Sequence, residues 1–133
     1  MPFAIDLPAA ARRHLQAAEI LVESARGDVA GYLYGIAAEC AVKAMMIEAG
    51  LRPSLDGSRR DDPFYEHFPA LRTILRDTLQ GRRGTPLIKY IRDDRFMNQW
   101  STQMRYSHGK DVRKQWISNW AMQAREIVAS IGT

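Results

Sequence analysis

The stretch Ala30–Gly50, AGYLYGIAAECAVKAMMIEAG, constrains this chain more than any other. Apolar or small residues recur at Val29, Leu33, Ile36, Cys40, Ala44 and Ile47, at the steps of four and three that define one face of a helix. Asp28 stands where an N-cap belongs and Gly50 where a left-handed C′ glycine ends a helix. At 3.6 residues per turn this is a helix of about six turns. Glu39 and Lys43, one turn apart, interrupt its apolar middle.

A partner for that helix precedes it directly. Asp6-Leu7-Pro8 supplies an N-cap and a first-turn proline, and Ala11, Leu15, Ala18, Val22 and Ala25 repeat at helical spacing. The alanine-rich face allows close approach, and the Arg26-Gly27 break is short enough to require an antiparallel αα-hairpin. Residues 51–66 carry two prolines, a glycine and clustered charges, which predicts a surface loop. Helical spacing resumes over Phe68–Leu79, with His67 at its start, and Gly81–Pro86 stops it. Residues 87–104 read as one or two short helices. Asp111 offers a cap for a last helix, whose buried face is Val112, Trp116, Trp120, Ala124, Ile127 and Ile131. Alternation with period two persists nowhere. The expected fold is all-α: a single domain over 1–133, an up-and-down antiparallel four-helix bundle with one or two extra short helices.

With 46% apolar residues, 133 residues can bury a core that needs neither disulfide nor metal. Cys40, the single cysteine, is expected to face inward as a small core residue. No apolar run approaches the roughly 20 residues that cross a bilayer, and MPFAIDLP lacks the basic start and apolar run of a signal peptide, so no membrane partner and a cytoplasmic location are expected. There is no Cys-x-x-Cys, no His-Glu-x-x-His and no phosphate-binding glycine loop, so neither metal nor cofactor is expected. The 19 Lys and Arg against 15 Asp and Glu give a net charge of +4. Only Lys43, Lys89, Lys110 and Lys114 are lysines, and arginine suits planar contact with phosphate.

The run Ala37–Met46, AAECAVKAMM, resembles the second-helix signature of HEPN domains, with a Glu followed four residues later by a Lys. His67 with Leu71 resembles the family's His-x-x-Leu start of the third helix, and Arg105-Tyr106 an Arg-Tyr pair before the final helix in one branch. The resemblance implies a helical bundle, commonly a homodimer, that binds a nucleotide or RNA, partners a nucleotidyltransferase, or acts as a metal-independent RNase. The RNase branch uses an Arg, four to six intervening residues and a His. Here Arg105 and His108 are separated by Tyr106 and Ser107 alone. The expectation is therefore a non-catalytic binding module whose groove is lined by Glu39, Lys43, Arg105 and Tyr106, with Glu39 pairing Arg105 and Arg105 contacting phosphate. The alternative is an RNase toxin in which Arg105 holds the scissile phosphate and His108 moves protons. Plainer roles stand beside these: a helix-surface Glu39–Lys43 pair, an architectural salt bridge at Arg105, a loop His108, a packed Tyr106, and core or interface tryptophans at 116 and 120.

Overall fold

A computed structural model describes residues 3–55, 62–79 and 86–133. Five α-helices follow in order: α1 Leu7–Glu23, α2 Gly27–Glu48, α3 Ala70–Thr78, α4 Leu87–Arg92 and α5 Lys114–Ala129. Short 3-10 turns occupy Pro63–Tyr65 and Thr102–Tyr106, and no strand occurs among the described residues.

Local chemistry accounts for the ends of the long helices. Asp6 caps α1, its Oδ1 accepting from Ala9 N–H at 3.0 Å. At the end of α2, Gly50 takes φ 93°, which frees Leu51 N–H to reach Met46 O at 2.9 Å and Gly50 N–H to reach Ile47 O at 3.0 Å. This is a Schellman closure on the glycine that the sequence marks. The same closure ends α1 with Ala25 in the glycine-favouring position, at φ 62°.

Two expected caps are placed differently. Helix α2 begins at Gly27 with Arg26 as N-cap, and Asp28 falls inside the first turn. The tight reversal through Ala25 starts the helix earlier, and Asp28 instead holds Arg26 through paired bonds of 3.2 Å. Helix α5 starts at Lys114 without a side-chain cap, because Asp111 accepts from Ser107 Oγ at 3.2 Å.

The buried face of α2 also differs from the predicted stripe. Of that stripe only Ala44 is fully buried, whereas Val29 is 39% exposed and Cys40 is half-buried. Burial falls on Ala30, Gly31, Tyr34, Gly35, Ala37, Ala38, Ala41 and Val42, together with Met45 and Met46. Small residues let neighbouring elements approach α2 on several sides, and a stripe drawn from the large apolar residues misses them.

Helix α1 packs antiparallel on α2, and α5 packs parallel to it. Gly27 and Gly31 meet Ile117 and Trp120 at one end of that pair, and Gly132 N–H donates to Glu48 Oε1 at 2.7 Å at the other. A carboxylate ties all three long helices. Glu19 accepts from Tyr34 Oη at 2.7 Å and receives Arg125 on both oxygens, at 2.5 and 2.7 Å. Arg125 holds the Glu19 carboxyl below its usual range, and burial pushes the Tyr34 hydroxyl up to about 12.

The remaining side of α2 is covered by the irregular segment that carries Trp100. Trp100 lies against Gly35 and donates its indole N–H to Gly31 O at 3.1 Å. The turn before it includes Met97 and Gln99 at φ 53° and 71°, and α5 holds this turn in place. Gln123 accepts from Met97 N–H at 2.8 Å and donates to Arg95 O at 2.9 Å, while Trp120 donates to Asn98 O at 2.8 Å. Left-handed backbone at non-glycine residues persists when the surroundings over-determine it, and these three bonds do so.

Candidate functional site: a basic and aromatic surface on the turn before α5

Trp100 sets up the site. Tyr32, one turn before Gly35 on α2, stacks on it with ring centroids 5.6 Å apart and planes 13° from parallel. The 3-10 turn that follows is capped by Ser101, whose Oγ accepts from Gln103 N–H at 3.2 Å. This brings Arg105 back over α2. Its guanidinium lies 5.9 Å from the Tyr32 ring centroid and 5.1 Å from that of Tyr106. Arg105 Nε donates to Thr102 O at 3.0 Å, so one edge of the fork is anchored while the residue stays exposed. Tyr106 is not packed in the core: it is 81% exposed.

The surface continues towards α5. Between 105 and 114 the chain carries Arg105, Lys110, Arg113 and Lys114 against the single carboxylate Asp111, and all five are exposed. Arg113 lies 5.1 Å from the ring centroid of Trp116. Trp116 is only half-buried, unlike Trp120, so the two tryptophans that share a predicted inward stripe diverge. Gln99, Gln103, Ser107, Asp111 and Trp116 contribute to a cleft of about 350 Å³ beside the same turn. Asp28 approaches from α2 at Gly109, already engaged by Arg26.

His108 lies beyond the 3-10 turn, past Ser107 in extended backbone, so it shares no helical face with Arg105. Lys110 N–H donates to its Nδ1 at 3.0 Å. With that lone pair engaged, the neutral ring carries its proton on Nε2. His108 then presents a donor outward, suited to a phosphate oxygen and unsuited to proton abstraction through either nitrogen.

Glu39 and Lys43 belong to a different place. Glu39 is 3% exposed and accepts from Phe68 N–H and His67 Nδ1, both at 2.9 Å. The expected Glu39–Arg105 pair is not formed, because the carboxylate fastens the start of α3 to α2 while Arg105 is held by Thr102 and the two tyrosines. Lys43 makes no ion pair among the described residues and borders an apolar cleft with Glu39, Cys40 and Ile47. Burial pushes the Cys40 thiol up, away from the reactive thiolate.

The structure thus brings Arg105 and Tyr106 together and adds Tyr32, which lies outside the sequence motifs. A signal existed: Tyr32 lies two turns before Glu39 on one stripe of α2, beside the closely spaced Gly31 and Gly35. Among the described residues no group of three or more His, Cys, Asp or Glu could hold a metal ion, and no helix is long and apolar enough to cross a membrane.

Fold and surface together define a helical protein with an exposed arginine set between aromatic rings. In comparisons with protein-family models, curated proteins and solved structures, none matches this chain.

Proposed function

We propose that the chain is a HEPN-like, non-catalytic module that binds single-stranded RNA or a nucleotide across Tyr32, Arg105 and Tyr106. The observation that carries this reading is the exposed Arg105 guanidinium over the Tyr32 and Tyr106 rings, at 5.9 and 5.1 Å. A guanidinium can pair with a phosphate while the neighbouring tyrosine face stacks a base, and base stacking contributes roughly 1–3 kcal/mol per base. Lys110, Arg113 and Lys114 extend the positive track that a backbone would follow.

The up-and-down four-helix arrangement belongs to the same reading. Helices α2 and α5 run parallel and α1 opposes both, the alternation such a bundle requires when α3 supplies the remaining member. A second copy of the chain and a nucleotidyltransferase partner are what the HEPN resemblance adds, and a cytoplasmic location is part of the same proposal. The RNase alternative, with Arg105 and His108, is disfavoured by the Lys110 bond to His108 Nδ1 and by the break after Tyr106.

Incubating labelled single-stranded RNA with the protein in EDTA separates the two readings. Binding without cleavage supports the module, whereas cleavage that disappears in both Arg105→Ala and His108→Ala establishes the enzyme.

A further inference from the structure

The apolar cleft bordered by Lys43 lies apart from the surface proposed to bind RNA. It is formed by Ile5 and Leu7, the second half of α2, and Pro53, Phe64 and Tyr65, and encloses about 470 Å³. This is within the range of small-molecule sites, which are mostly apolar with a few placed polar groups. Ile5, Leu7, Ile47, Pro53 and Phe64 supply the apolar lining, and Ile5, 76% exposed, stands at the mouth.

Two ionisable side chains border the cleft, and they are not equivalent. Each Glu39 oxygen already accepts a hydrogen bond, from His67 Nδ1 or Phe68 N–H, which turns the carboxylate towards α3. Among the described residues, Lys43, half-buried one turn later, has no carboxylate partner and is the only cation lining the cleft. The favourable Glu-to-Lys pair that their spacing allows is not formed, and among the described residues the Lys43 ammonium has no ion-pair partner. Among the described residues the lining holds no guanidinium, and Tyr65, 44% exposed, adds a ring to its wall.

We propose that this cleft binds a small amphiphilic monocarboxylate, its head paired with Lys43 Nζ and its hydrocarbon body against Ile47, Phe64 and Pro53. Charge complementarity selects the head: a carboxylate supplies an acceptor that Lys43 lacks among the described residues, and an ammonium head would meet like charge. The apolar walls select the body and exclude polyanions.

Calorimetric titration with decanoate below its micellar concentration tests this, with decanol and decylammonium as matched tails. The expected result is saturable binding of one decanoate per chain, weakened about tenfold in Lys43→Gln, a loss of about 1.4 kcal/mol. Arg105→Ala should bind decanoate as the wild type does, which keeps this site separate from RNA binding. Thermal melting of Lys43→Gln verifies that the variant folds. Absence of saturable decanoate binding would overturn the proposal, as would equal affinity in folded Lys43→Gln or preference for decanol or decylammonium.

Discussion

A Cβ placed on Gly35 would lie 1.9 Å from Trp100 Cε2, so the indole occupies the space that any other residue at 35 would need. This contact is the base on which the candidate site is built. Trp100 seated on Gly35 supports the stacked Tyr32, and Tyr32 in turn lies beneath Arg105. Gly35→Ala should therefore destabilise the protein by about 1–3 kcal/mol, the usual cost of over-packing a tight core. Urea denaturation should show a lowered midpoint, and an unchanged midpoint would mean that the indole is free to move aside.

The buried carboxylate of Glu39 offers a second test. Removing it leaves the buried Phe68 N–H without its acceptor, a loss of about 1–3 kcal/mol. Glu39→Ala should be clearly less stable than His67→Ala, because the His67 side chain is 51% exposed and water can replace its bond. Equal losses in urea denaturation would count against an architectural role centred on the Phe68 amide.

Ala25 closes α1 at φ 62°, a conformation that a Cβ disfavours. Ala25→Gly should raise stability by about 0.5–1 kcal/mol, with strain relief exceeding the added unfolded-state entropy. A lower melting temperature would contradict this.

The Glu19–Tyr34–Arg125 junction gives a pH dependence at the alkaline end. Tyr34 is held protonated, with its pKa raised from 10.0 to about 12. The folded state thus binds that proton more tightly than the unfolded state. The resulting stability is fully present below about 10 and is lost as pH rises towards about 12. Tyr34→Phe should flatten the fall in stability over this window, compared with wild type by chemical denaturation at several pH values. A parallel decline in both proteins would sink the assignment.

The helical class and the α1–α2 hairpin were legible because their signals are local. Asp6, Gly50 and the apolar steps of α1 each act within a turn or two of themselves. The buried face of α2 is not legible from its large apolar residues, since burial there follows Gly31, Gly35 and the alanines, whose weak hydropathy conceals their use as contact surfaces. Arg105 and Tyr106 are neighbours in sequence and stood out as a pair. Tyr32 did not, because only the long-range seating of Trp100 on Gly35 brings it beneath Arg105. For the same reason Glu39 looked like a partner for Arg105: its hydrogen-bond partners, His67 and the Phe68 amide, lie 28 and 29 residues further along the chain.

The central claim is that Arg105 and its exposed tyrosine bind nucleic acid. The most direct measurement is fluorescence anisotropy of a labelled single-stranded RNA titrated with wild type, Arg105→Ala and Tyr106→Ala at two salt concentrations. Tyr106 is 81% exposed and Arg105 lies on the surface, so both variants should keep the wild-type melting temperature. The account predicts saturable binding that weakens with salt, falls about tenfold or more in each variant, and loses part of its salt dependence in Arg105→Ala. Wild-type protein that fails to bind, or variants that bind as tightly as wild type, would contradict it.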